Sequence, residues 1–442
     1  MQKSDIWNEI DRLAEMLGEV SDRLWREPEL SSEEERSSAL FKDILKKNGF
    51  IIKSIDGMPT AFIAEFGSGS PVIALLAEYD ALPSLSQQVC AEEIPVEEGA
   101  PGHGCGHNLL GTALLGAALA GKKLLSETGF SGTIRLYGCP SEELLSGKVI
   151  MARKGAFKGC DLALTWHPGS ENFSTNGGFL AMDSIKFHFS GKAAHAAAAP
   201  QAGRSALDAA ELMNVGANYL REHIPDRARI HYSLTGDRYP PNIVPASASV
   251  WYYVRAPKRP EVEDITKRLI KVAQGAALMT ETEVSIEKVT GCYELNINPV
   301  LCRLTEENLI KAPKPEYTQE ELEFAAELQN TVGKRPKLMR RDVIPSDSID
   351  ITELTGSTDC GDVSYIMPMQ FFNAACFPDG LALHTWQSCA AAGSALGKKG
   401  MIFAAKVLSG IVFDLVAEPE LWREAAEEFK ASTPPYVSPL EA

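Results

Sequence analysis

Gly102-His103-Gly104-Cys105-Gly106-His107-Asn108 runs without a break into the small, apolar stretch from Leu109 to Ala120. The first part sets a thiol and an imidazole two residues apart among glycines, so the backbone can turn sharply and approach a ligand closely. The second part is long enough for a buried helix. Cys105 and His107 therefore stand at the mouth of a rigid element, which is what a metal site requires. Taken alone, the stretch fits equally a glycine-rich turn with a buried Cys and a surface His.

Working outward toward the N-terminus, Ile6, Ile10, Leu13, Leu17, Val20 and Leu24 recur at spacings of three and four, the pattern of an amphipathic helix. A second helix is expected from Ser32 to Asn48, with Ser31 or Ser32 as N-cap and Gly49 as its stop. Ala61 to Phe66 and Val72 to Ala77 read as two strands joined in a hairpin. The second run ends in Glu78-Tyr79-Asp80-Ala81-Leu82-Pro83, and carboxylates at a strand exit are a usual place for chemistry in an α/β sheet. The loop from Ser84 to Gly99 is polar and acidic and is expected on the surface.

Toward the C-terminus, Thr133 to Tyr137 predicts a strand leading to the adjacent carboxylates Glu142 and Glu143, before a helix starting near Leu144. A helix start decorated with acids is also what the macrodipole favours. Leu162 to Gly169 predicts a strand ending in His167. Strands that alternate with helices and end in Cys, Glu or His argue for an α/β sheet with one site at one edge.

From Ala181 the order becomes strand (182–189), helix (205–221), strand (230–234), strand (246–254), helix (261–277), strand (283–289), which predicts a ferredoxin-like insertion. His195 lies in it, in a run between Lys192 and Pro200 made only of His and Ala. Helices are then expected over 298–311 and 319–332, a loop over 333–354 and a strand over 371–375. His384 opens a loop before a helix from about Cys389 to Ser409. A surface helix over 418–430 and a poorly ordered tail after Ser432 complete the chain.

The 442 residues are 45% hydrophobic and 23% charged, ordinary for a globular protein of two or three domains. A formal net charge of −16 argues against nucleic acid or an anionic membrane as partner. No N-terminal stretch resembles a signal peptide and no apolar run is read as membrane-spanning. Nine scattered cysteines without a Cys-x-x-Cys pair exclude a disulfide framework and fit the cytoplasm.

Three of the eight histidines, His107, His167 and His384, stand beside these motifs. With Cys105 and Glu143 they make five ligands of soft to intermediate character, suited to Zn or Mn rather than Mg or Ca. Five exceed the four of a structural zinc, so two metals sharing one ligand fit better, with a thiolate as a competent bridge. One thiolate and one carboxylate set about −2 against +4, and the excess would acidify a bound water and polarise a carbonyl.

The order Cys-Gly-His, Glu-Glu, strand-end His and late His resembles the M-twenty peptidase family, in its amidohydrolase branch. The likeness is carried by Glu78 to Pro83, Gly102 to Leu110, Gly356 to Asp362 and Leu383 to Gln387, and it covers nearly the whole chain. It implies a di-metal α/β catalytic domain, its sheet flanked by helices and split over 1–180 and 294–442. It also implies an inserted ferredoxin-like α+β domain, 181–293, that dimerises and acts as a lid. By motif position, Cys105, His107, Glu143, His167 and His384 resemble the metal ligands and Glu142 the general base. His195 resembles the oxyanion-stabilising His, and Asn242 and Arg255 the contacts to a substrate carboxylate. Glu78 stands where much of the family has a metal-binding His and is not assigned as a ligand. Asn108 replaces the usual Asp.

The implied activity is metal-dependent hydrolysis, with two divalent ions (Mn or Zn) per subunit, of an amide whose leaving amine carries a carboxylate. An aryl-amide of glutamate leads, and a dipeptide or an N-acyl amino acid follows. The partners are a small N-acyl amino acid and a second copy of the chain or a homologous second subunit. The non-enzyme alternative is a metal-stabilised binding protein, which has no need of Glu142.

Overall fold

Val72–Glu78 is buried almost along its whole length. A strand tolerates that only inside a sheet covered on both faces. In the computed structural model, which describes residues 1–236, 239–334, 339–350 and 356–441, it is the third strand. Helices α1 (Lys3–Arg26) and α2 (Glu35–Lys47) come first, then β1 (Ile51–Ile55), β2 (Met58–Ser68) and β3 (Val72–Glu78). Next are α3 (His107–Thr128), β4 (Gly132–Cys139), α4 (Gly147–Arg153), β5 (Leu162–Gly169) and β6 (Asn172–Ser174). The inserted part holds β7 (Ala181–Ser190), α5 (Ala206–Leu220), β8 (Arg229–Thr235), β9 (Ser247–Ala256), α6 (Arg259–Thr280) and β10 (Glu283–Cys292). The chain ends with α7 (Pro299–Lys311), α8 (Gln319–Thr331), β11 (Val343–Ile344), α9 (Cys360–Ser364), β12 (Met369–Ala375), α10 (Trp386–Gly393), α11 (Ala395–Ala417) and α12 (Pro419–Ser432).

Two compact units result. The first comprises Met1–Gly177, Asn296–Ile351 and Val363–Tyr436, and the second Gly178–Leu295, Thr352–Asp362 and Val437–Ala442. The first is built on an eight-stranded sheet of order β1-β2-β4-β3-β5-β12-β6-β11. Its middle strands β4, β3, β5 and β12 are mutually parallel, so their C-terminal ends share one edge. Helices α1, α3 and α11 pack on one another and on the sheet, and their apolar faces fill the core. The small residues of α3 have a steric cause: a Cβ at Gly111 would lie 2.5 Å from the Glu78 carbonyl oxygen, so the helix rides directly on the end of β3.

The second unit is a four-stranded sheet of order β10-β7-β9-β8, antiparallel throughout, with α5 and α6 packed on it. Its alternation is regular: Ala248, Val250, Tyr252, Val254 and Ala256 of β9 are buried, and the residues between them are partly exposed. This is the ferredoxin-like arrangement expected from the β-α-β-β-α-β order.

Five expectations are corrected. β2 and β3 form no hairpin, because β4 lies between them, antiparallel to β2 and parallel to β3. A strand as apolar as β3 takes a partner on each side, and neither is its neighbour in sequence. Helix α2 has Glu34 rather than Ser31 or Ser32 at its N-cap. Ser32 is held in a left-handed turn, φ 71°, and Ser31 donates its hydroxyl to Asp80. The helix expected over 389–409 is two, broken where Ser394 is extended and its hydroxyl caps Gly397. The tail after Ser432 is held: Tyr293 donates to the Val437 carbonyl and Ser438 is buried. Finally, α3 and α11 are long and apolar enough to cross a membrane, but both are largely buried against the rest of the protein. Of the 333–354 stretch, 335–338 and 351–354 lie outside the described residues.

Candidate metal centre

The parallel strands deliver their ends to one place. β3 ends at Glu78, with Asp80 just beyond it. β4 is followed by Glu142 and Glu143, and β5 carries His167. Cys105 and His107 arrive on the loop and first turn of α3. Gly106 makes that junction possible: it is the N-cap in a left-handed conformation, φ 81°. A Cβ there would come within 2.7 Å of Pro168, the neighbour of His167. His384 reaches the same place from its own left-handed turn, φ 62°, fixed by its amide donating to the Gly104 carbonyl at 3.0 Å.

Two groups of donor atoms result, each within 4.8 Å: Cys105 with His107 and His167, and Cys105 with Glu143 and His384. Cys105 Sγ belongs to both. It lies 3.3 Å from His167 Nε2, and Glu143 Oε2 lies 3.4 Å from His384 Nε2.

The hydrogen bonds orient the rings. His107 Nδ1 lies 3.0 Å from Asp80 Oδ1 and 3.0 Å from the Asp80 carbonyl oxygen. Both are acceptors when Asp80 is ionised, so His107 donates from Nδ1 and turns the Nε2 lone pair inward. Burial opposes ionisation of Asp80, but His107 and the Glu143 amide hold its carboxyl below the usual range. His167 does the same through Nδ1, 2.8 Å from the Pro168 carbonyl oxygen. Burial, then the nearby His107, pulls His167 down to about 4, so its lone pair is available at neutral pH. Burial pushes the Cys105 thiol up and Glu143 to about 7.

These groups fit metal ions. His107 Nε2 and Glu143 Oε1 are buried without a hydrogen-bond partner, and both belong to residues of the donor groups. Thiolate, imidazole and carboxylate together suit Zn or Mn.

All six first-unit residues singled out from sequence thus converge. Glu142 Oε2 is 3.9 Å from His107 Nε2, beside the donors. His195, Asn242 and Arg255 belong to the second unit. There, Ala196 donates to the Asn242 carbonyl at 2.9 Å, so His195 and Asn242 are neighbours. Arg255 sits near the far end of β9, where it donates to Ser357 at 3.0 Å and covers the Tyr253 ring. Sequence reasoning missed Lys148, whose buried ammonium pairs with Glu78 at 2.7 Å, and left Asp80 without a role. The acids at the exit of β3 were the available signal. Nothing in a lysine at a helix start announces burial.

A family model described as a peptidase dimerisation domain matches residues 178–281. The B component of the two-component p-aminobenzoyl-glutamate hydrolase of Escherichia coli is 41% identical over 96% of this chain and 94% of its own length. The Xaa-Arg dipeptidase of Mus musculus is 30% identical over 95% of this chain and 90% of its own. A Bacillus subtilis structure described as a dinuclear metal binding peptidase covers 92% of this chain and 99% of its own, with a TM-score of 0.61 at 16% identity, a likeness of fold. Relatives matched end to end at such identity leave one assignment: the chain belongs to the M-twenty peptidase family and is a hydrolase of amide bonds.

Proposed function

We propose that the protein hydrolyses the amide bond of p-aminobenzoyl-glutamate or a close N-aryl or N-acyl amino acid, using two Mn or Zn ions. The observation that carries this reading is the shared Cys105: two three-donor groups meet at one sulfur, and Glu142 stands beside them. Cys105, His107 and His167 would hold one ion, and Cys105, Glu143 and His384 the other. Bound there, the ions supply Lewis acidity toward a carbonyl oxygen and lower the pKa of a water. Glu142 takes the water's proton and returns it to the leaving nitrogen. His195 donates to the oxygen of the tetrahedral intermediate. Arg255 and Asn242 hold the carboxylate of the leaving amino acid, for which a planar guanidinium is well shaped.

The relative named as a p-aminobenzoyl-glutamate hydrolase component supports the aryl-amide. That hydrolase is named as having an A and a B component, and both resemble this chain, which supports a homologous second subunit. The matched dimerisation domain supports a dimer, and so does β8, an edge strand carrying exposed Tyr232 and Leu234. Free cysteines throughout support the cytoplasm.

The test is release of p-aminobenzoate from p-aminobenzoyl-glutamate by protein reconstituted with Mn or Zn, beside N-acyl glutamates and dipeptides. Preferential turnover of the aryl-amide is expected. Cleavage of dipeptides alone would move the chain to the dipeptidase reading that the Xaa-Arg relative represents.

A further inference from the structure

We infer that Glu34 is a positioning residue that sets the backbone turn from which Glu142 and Glu143 diverge; the inference rests on the reading of Glu142 as the base. Glu34 is fully buried at the start of α2, yet its side chain does not cap its own helix. Its Oε1 instead accepts two backbone N–H groups, from Ser32 at 2.9 Å and from Ser141 at 2.8 Å. Both serines are non-glycine residues in the left-handed region, φ 71° and 59°. Their hydroxyls lie 2.8 Å apart. One carboxylate oxygen thus ties together two turns that L-residues rarely adopt.

The second of these turns matters for chemistry. Ser141 immediately precedes Glu142, and Glu142 and Glu143 must face different partners: His107 at 3.9 Å and His384 at 3.4 Å. Adjacent residues of a regular helix or strand do not send side chains to two such neighbouring targets. The left-handed step at Ser141 redirects the chain, and a second one follows at Leu145, φ 53°, whose amide donates to the Glu142 carbonyl at 2.6 Å. The same N-terminal loop makes a second tie: Ser31 donates to Asp80 Oδ2 at 2.8 Å, and that oxygen also accepts the Glu143 amide at 2.9 Å. An acceptor at the position of Glu34 Oε1, rather than a charge, is what holds the turn. Burial, reinforced by the Asp80 carboxylate, pushes Glu34 up to about 7, and its Oε2 has no hydrogen-bond partner.

Acceptor position and charge are separated by two variants. Glu34→Gln keeps an oxygen in place and removes the charge. Glu34→Asp keeps the charge and withdraws the oxygen by one methylene. For metal-reconstituted protein, Glu34→Gln should keep kcat within about threefold, whereas Glu34→Asp should lose about 10-fold or more with KM little changed, as small misplacements of reacting groups do. Metal stoichiometry, read by competition with a chromophoric chelator, should be unchanged in both. Ser141→Gly, which removes the left-handed penalty, should restore kcat of Glu34→Asp by about threefold or more.

The inference is overturned if Glu34→Asp matches Glu34→Gln in kcat, if the loss in Glu34→Asp follows loss of bound metal, or if Ser141→Gly restores nothing. Should Glu34→Asp not fold, Glu34→Gln still decides: a fall of about 100-fold in that isosteric protein would show that charge, not acceptor position, is needed. Glu142→Gln run beside them separates the two readings. A fully active Glu142→Gln removes the base and the inference with it. An inactive one, with Glu34→Asp at the wild-type rate, removes the inference alone.

Discussion

Cys105 is the residue on which the chemistry turns, because its sulfur is the atom common to both donor groups. A buried thiol with a raised pKa gives up its proton only to a cation, and a coordinating thiol is deprotonated outright. A serine hydroxyl in its place stays neutral. Cys105→Ser is therefore expected to fold and to lose most of its bound metal, measured by elemental analysis of the folded protein. Full occupancy would take Cys105 out of the site. The neighbouring carboxylates divide differently. Glu142→Gln should retain both ions and lose about 10²–10⁴-fold in kcat, the scale of a general base. Glu143→Gln should lose metal, and the reverse pattern would exchange the two roles. The donors were legible because each stands at a strand or helix end beside a distinctive neighbour: Cys105 and His107 among glycines, Glu143 after a second acid, His167 before a proline. The Asp80–His107 bond, the Lys148–Glu78 pair and the reach of Glu34 to Ser141 were not, since each joins residues whose proximity is a product of the sheet order.

Among the elements, the junction of α3 with its loop carries the tightest constraint. Gly106 has φ 81°, and a Cβ there would meet Pro168 at 2.7 Å and Phe377 at 3.0 Å. Gly106→Ala must strain the backbone and separate His107 from His167, the residue before Pro168. A loss of about 1–3 kcal/mol is expected from the left-handed residue and its contacts. Thermal melts of the apo protein should show it, together with weaker metal binding in a chelator competition. An unchanged melting temperature would mean that α3 can move without cost. Elements with a local signal were read correctly: the three-and-four spacing of Ile6 to Leu24 became α1, and the β-α-β-β-α-β run became the antiparallel second sheet. What failed was pairing and interruption. β3 is as apolar in a hairpin as in the middle of a sheet, and only the insertion of β4 decides between them. The break at Ser394 interrupts an unbroken run of small and apolar residues, because Gly393 lies against the Trp25 ring, where a Cβ would come within 2.4 Å.

For the whole molecule, the second unit poses a problem of reach that a dimer answers. β9 runs from Ser247 to Ala256, so Arg255 lies about 26 Å along the strand from its start. His195 and Asn242 cluster beyond that start, where the Gly191 amide donates to the Ala246 carbonyl. If both ends of one unit serve small substrates, they serve different ones, and each substrate meets His195 from one copy and Arg255 from another. Exposed Leu212, Val215 and Tyr219 on α5 and the open edge of β8 are the surfaces on which a second copy would settle. The consequence is testable with two dead proteins. His195→Ala should bind metal and substrate but turn over poorly, and Glu142→Gln should be inactive for lack of its base. In a mixed dimer one site combines the Glu142 of the first chain with the His195 of the second, while the other site lacks both. Random reassortment of equal amounts should therefore recover about a quarter of the wild-type rate, one live site in each of the half of dimers that are mixed. The measurement is kcat after subunit exchange, with mixed dimers verified by two affinity tags. Recovery near that level places His195 across the interface. Verified mixed dimers with no activity would mean that His195 serves the metal centre of its own chain, and Arg255 would then need another role.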